Sequence, residues 1–128
     1  MIKVALNSEL YSEWLASIEQ AETREAFTYL VGLAACLGGY SCHPQKKGVV
    51  RDFRFLNAQE EQPFAFIINQ KWLLFYFRLP ALRARHYSLD QVQAAFDSAT
   101  VTNTGEWTVK LQSIQDVKRL WSLLGFAG

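Results

Sequence analysis

A chain of 128 residues, half of them apolar and a fifth charged, has the balance of one folded domain spanning residues 1–128, since disorder needs the reverse. Its net charge of +1 excludes a whole-surface grip on a polyanion. Two cysteines are too few for a disulfide framework, so reduced thiols in a soluble, cytoplasmic protein are expected. No apolar run reaches the roughly 18 residues of a membrane span, and MIKVALNSEL has no basic start ahead of a long apolar stretch, as a secretory signal would.

Residues 2–6, IKVAL, read as a short strand or extended lead-in, with Asn7 or Ser8 as the cap of a helix whose apolar stripe is Leu10, Trp14, Leu15 and Ile18. A second helix is predicted from Glu22 to Leu37, with Phe27, Leu30, Val31, Ala34 and Leu37 on its apolar face and Gly38-Gly39 closing it. The acidic residues Glu9, Glu13, Glu19, Glu22 and Glu25 read as a solvated face. Tyr40 to Gly48, YSCHPQKKG, has the Pro, Gly and polar content of a loop.

Three apolar strands follow. Val49 to Leu56 sets Phe53 and Phe55 on one face against Asp52 and Arg54 on the other. Phe64 to Asn69 and Trp72 to Arg78 are joined by Gln70-Lys71, which fits a tight hairpin; neither alternates cleanly, as for central strands or strands covered on two faces. Pro80 ends the third, because it has no N–H for a ladder. Ser88 with Gln91 is a capping box for a helix to Phe96, anchored by Val92 and Phe96. A hairpin is predicted from Ala99 to Thr102 and from Glu106 to Leu111, turning at Asn103-Thr104-Gly105. Ser113 with Asp116 caps a last helix whose buried stripe is Val117, Leu120, Trp121 and Leu124, closed by Gly125. The expected fold is α+β: a mainly antiparallel sheet of about five strands with helices on one face, two of them N-terminal.

The strand FAFIINQ, the strand WLLFYFRLP, a helix, and then GEWTVKLQSIQDVKRLWSLL resemble, over roughly residues 50–124, the YjbR-like small α+β domains. The resemblance implies a compact domain of the double-wing type, for which DNA binding has been suggested, and brings no established catalytic site. One departure is that such domains usually carry Gly-Lys before the central Phe-Ala, where this chain has Gln62-Pro63.

Charge is unevenly spread. Residues 1–45 hold two basic and five acidic side chains, residues 46–86 eight and three, and residues 87–128 three and four. The basic middle segment offers Lys46, Lys47, Arg54, Arg78, Arg83, Arg85 and His86 as the candidate surface for an anionic partner, with Tyr87 or Tyr40 to stack on a base. Arg51 and Arg54, three apart on a strand, point to opposite faces, so at most one of them joins such a surface. An acidic protein surface and a nucleic acid suit these residues about equally. The same charges also serve simply to solvate strand edges.

Other chemistry is poorly provided for. A metal-dependent nuclease places one acid on a strand and a carboxylate two before a lysine on the next. Asp52 with Asn69-Gln70-Lys71 imitates the spacing, but an amide stands where the carboxylate belongs. Cys42-His43, with Cys36 and His86, lacks the spaced pairs of a zinc site, and Cys36 in its apolar helix reads as core. There is no P-loop, G-x-G-x-x-G or G-x-S-x-G. Trp14, Trp72, Trp107 and Trp121 fall mostly at inward positions. The sequence therefore reads as a non-enzymatic binding or regulatory module that engages an anionic partner through residues 46–86, such as an inhibitor that occupies another protein's site, with no catalytic set, metal or cofactor expected. The alternatives are a metal-dependent nuclease, or its degenerate relative, around Asp52 and Lys71, and a homo-oligomer whose aromatic strands pair across an interface.

Overall fold

Side chains alternate between buried and half-buried along residues 52–56 and Leu73–Phe77, as in a sheet with one buried face, and that sheet organises the molecule. The computed structural model describes residues 8–47, 50–84 and 86–126, with residues 8–9, 45–47 and 50 by backbone alone. The lead-in strand and Asn7 cap expected at residues 2–7 lie outside the described residues.

Helices α1 (Ser8–Ser17) and α2 (Ala21–Ala35) are followed by strands β1 (Ser41–Lys47), β2 (Val50–Leu56), β3 (Phe64–Ile68) and β4 (Leu73–Phe77). Helices α3 (Leu79–Arg83) and α4 (Leu89–Ala95), the hairpin β5 (Thr100–Val101) and β6 (Trp107–Leu111), and helix α5 (Ile114–Leu124) complete the chain. The fold is α+β with one antiparallel sheet in the order β1-β2-β3-β4-β6-β5.

Among the described residues six strands stand where five were expected. The additional one is β1, in the segment read as a loop. Its composition, SCHPQKK, is poor for a strand, yet every residue from Ser41 to Lys47 has a partner on β2. Pro44 is tolerated because β1 is an edge strand among the described residues, where a missing N–H breaks no ladder on the outer side. Proline and lysine on an edge also discourage pairing with a further strand.

Phe53, Phe55, Phe64, Phe66, Leu73, Phe75, Phe77, Val109 and Leu111 share the buried face of the sheet. Onto them pack Trp14 of α1 and Ile18 just after it, Phe27, Leu30 and Ala34 of α2, and Val117, Leu120, Trp121 and Leu124 of α5, in one continuous core. Phe53 and Phe66 stack across β2 and β3 with centroids 4.8 Å apart. β3 and β4 are the two middle strands, and β4 does alternate: Leu73, Phe75 and Phe77 are buried while Leu74 and Tyr76 are half-buried. Their all-apolar composition reflects a second face that is partly covered rather than a second layer of helices.

Local signals act as their chemistry requires. Ser88 Oγ accepts from Gln91 N, and Ser113 Oγ accepts from Asp116 N, so both predicted caps form. Asp116 Oδ2 in turn accepts from Gln112 N at 2.8 Å. Pro80, which ends the third strand, also starts α3, since proline suits the first turn of a helix.

A candidate anion-binding cleft at the β3–β4 hairpin

Sheet register separates the basic residues onto two faces. Arg54 shares the open face with Asp52, opposite Ala65 of β3, whereas Arg51 has the parity of Phe53 and Phe55. The expectation that Arg51 and Arg54 point apart holds.

On the open face the arginines are already committed. Arg54 donates Nε and a terminal nitrogen to Asp52 Oδ2 at 3.1 and 3.0 Å, and its other terminal nitrogen to Gln62 Oε1 at 2.9 Å. Arg78 donates Nε to Glu106 Oε2 at 3.2 Å and a terminal nitrogen to the same Gln62 oxygen at 2.9 Å. A chain Asp52–Arg54–Gln62–Arg78–Glu106 thus crosses the sheet with its charges balanced. Arg83 on α3 reaches Glu61 at 3.4 Å in an exposed pair.

The remaining expected contacts are dispersed. Tyr87 does not stand free to stack on a base: its ring packs edge-on against Phe64 and Phe77, and its hydroxyl donates to Leu124 O at 3.3 Å. Burial pushes its phenol above the ordinary range. Tyr40 likewise packs against Phe64 and Phe126. His86 is exposed beside Tyr87. Lys46 and Lys47 occupy register positions opposite Arg51 and Val50, but their side chains, and the whole of Arg85, lie outside the described residues.

The metal and nucleophile candidates also separate. Cys36, expected in the core, is exposed at the end of α2. Cys42 is the buried one, its thiol directed at Ala34 O at 3.9 Å, and burial pushes its pKa up to about 12. His43 faces the other way and meets Ser41 Oγ at 3.0 Å. Asp52 gives Oδ2 to Arg54, while Lys71 sits in the β3–β4 turn. Among the described residues no three His, Cys, Asp or Glu side chains gather as a metal site would require, and no helix is long and apolar enough to cross a membrane.

Arg51 and Lys71 are different. Among the described residues neither has a carboxylate within ion-pair distance, and both line one cleft of about 460 Å³ at the end of the sheet. Asn69, Gln70 and Trp72 complete its polar wall, with Ile67 and Ile68 behind. The hairpin that carries these side chains is clamped from below. Gln70 O accepts from Glu19 N at 2.7 Å and Gln20 N at 3.4 Å, and Lys71 O accepts from Thr23 Oγ1 at 2.8 Å. Thr23 is almost wholly buried, so the turn cannot rock without breaking a sheltered hydrogen bond. Lys110 Nζ sits 4.1 Å from the centroid of the Trp72 ring, bringing a third cation to the cleft's margin. A small neighbouring cleft places Glu22 near the other side of Lys71.

No protein-family model, curated protein or solved structure matches this chain.

On sequence alone Arg51 stands outside the candidate surface and Lys71 has the roles of a hairpin-turn residue and a nuclease mimic, so neither marks this cleft. The available signal was the Gln70-Lys71 turn itself, since a hairpin tip exposes its side chains. What makes it a site is its meeting with Arg51 across the sheet.

Proposed function

We propose that this protein is a non-enzymatic, cytoplasmic binding module that engages an anionic partner, and that the contact is centred on the Arg51–Lys71 cleft rather than spread over the whole segment 46–86. One observation carries the reading. Of the described basic side chains of that segment, Arg54, Arg78 and Arg83 are neutralised by Asp52, Glu106 and Glu61, whereas Arg51 and Lys71 share a cavity with no such partner. A guanidinium whose charge is already offset by a carboxylate attracts a second anion less strongly, so unpaired cations bind at lower cost. The backbone register adds Lys46 directly opposite Arg51. The likeness to the YjbR-like domains and their suggested DNA binding agrees with an anionic partner and enters only as a resemblance.

The test is binding to single-stranded DNA, double-stranded DNA and polyglutamate at two salt concentrations. Affinity that falls with salt and drops at least about tenfold in Arg51→Ala/Lys71→Ala, with Arg83→Ala near wild type, supports the reading. Absence of binding to all three at low salt removes it.

A further inference from the structure

The cleft is more than a pair of charges. An acidic peptide asks only for cations, yet the wall here also carries an indole, Trp72, and two side-chain amides, Asn69 and Gln70. Neither amide side chain is engaged by another described residue, and Trp72 is half-buried. Lys110 covers one face of the Trp72 ring, so a base stacks on the face that Lys110 leaves. With that indole, the cations and free amides match the three parts of a nucleotide: a phosphate for the charges, a planar ring for the indole, and a hydrogen-bonding base edge for the amides. Its volume of about 460 Å³ falls within the span of about 300–1,000 Å³ usual for small-molecule sites. Of the described arginines and lysines of residues 46–86 outside the cleft, Arg54, Arg78 and Arg83 are paired, which argues against a long basic track through that segment and for one unit.

We propose that the Arg51–Lys71–Trp72 cleft receives one nucleotide unit, its phosphate between the two cations and its base against Trp72, with Asn69 and Gln70 at the base edge. The assignment rests on the anionic-partner reading and narrows it. The unit belongs either to a free mononucleotide or to a single strand, and the chemistry of the cleft is the same for both.

The experiment titrates the intact chain with a mononucleotide, a ten-residue oligothymidylate and polyglutamate. It uses wild type, Arg51→Ala/Lys71→Ala, Trp72→Leu and Trp72→Phe, each first shown to be folded by its thermal unfolding curve. One phosphate contact on a single strand predicts about a 2.6-fold loss of affinity between 50 and 200 mM salt. Removing the stacking face in Trp72→Leu is expected to weaken nucleotide binding roughly 5- to 150-fold, with Trp72→Phe retaining most of it. Tight binding of the oligonucleotide alone assigns the site to a strand, and comparable binding of the mononucleotide assigns it to the free ligand. Polyglutamate binding that depends on Arg51 and Lys71, with nucleotides bound weakly or indifferently to Trp72, overturns this inference and leaves the anionic-partner reading standing. Nucleotide binding that survives Arg51→Ala/Lys71→Ala also overturns it. Failure of every probe at low salt overturns both.

Discussion

Arg54 and Arg78, on β2 and at the end of β4, donate to one and the same oxygen, Gln62 Oε1, each at 2.9 Å. Each guanidinium then turns its other side to its own carboxylate, Asp52 or Glu106. The arrangement ties β2, the lead into β3, β4 and the start of β6 together across the face of the sheet opposite the main core. It also accounts for why the open face, though rich in arginine, offers little free positive charge.

The shared acceptor can be tested by its removal. Hydrogen bonds to charged groups contribute about 1.5–3 kcal/mol when sheltered, and both arginines are about a third exposed, 32% and 33% at the side chain, so solvent screening lowers that. Gln62→Ala is expected to cost about 1–2 kcal/mol in urea denaturation. Gln62→Glu, which sets a carboxylate between two guanidinia, should lose little or nothing. Arg83→Ala, which breaks an exposed pair, should stay within about 0.5 kcal/mol of wild type. Equal costs for Gln62→Ala and Arg83→Ala would contradict this account of the network.

The two cysteines should behave oppositely toward a thiol reagent at pH 8. Cys36 is exposed and is expected to react in the native state, whereas Cys42 should react only after denaturation. Burial also gives Cys42 a pH signature. Its thiol ionises near the ordinary value of 9 when unfolded and at about 12 when folded. Between these values the unfolded chain holds fewer protons, so stability falls as pH rises, by up to about 1.4 kcal/mol per pH unit from this group. Tyr11, whose phenol is raised by burial and then by Cys42, adds a loss of the same sign from pH 10 upward. Stability curves at pH 8, 9 and 10 should therefore decline in wild type and flatten in Cys42→Ala. An unchanged slope in that variant would place the alkaline transition elsewhere.

Gly125 closes α5 in the left-handed region at φ 80°, and the turn brings Phe126 N to within 3.2 Å of Trp121 O. Phe126 then packs against Trp121, Tyr40 and Phe64. An added Cβ would meet nothing within 4 Å, so the cost of Gly125→Ala is conformational alone. It should be about 1 kcal/mol, with Phe126→Ala costing more because that ring bridges the helix to the sheet. Thermal unfolding of the two variants checks the order.

Much of this was legible before any tertiary structure. The helix from Ser113 to Gly125 follows from one cap, one apolar stripe and one glycine, all within reach of neighbouring turns. The β3–β4 hairpin follows from two apolar runs broken by Gln70-Lys71, and the β5–β6 hairpin from the Asn103-Thr104-Gly105 turn ahead of the alternating Trp107, Val109 and Leu111. Such features depend on residues a few positions apart, and local chemistry decides them. The strand Ser41–Lys47 escaped because its hydrogen bonds come from β2 rather than from its own propensities. Cys36, expected in the core, lies two residues past Ala34 and so off the buried stripe of α2, while pairing with Phe55 turns Cys42 toward the core. The sorting of the basic segment lay furthest out of reach. Arg78 meets Glu106 across 28 positions and Arg83 meets Glu61 across 22, while Arg51 meets Lys71 only where β2 and the β3–β4 turn converge. Composition alone established that the middle of the chain is basic. Which of those cations remain available depends on sheet register, and register is set by the burial of the whole aromatic core.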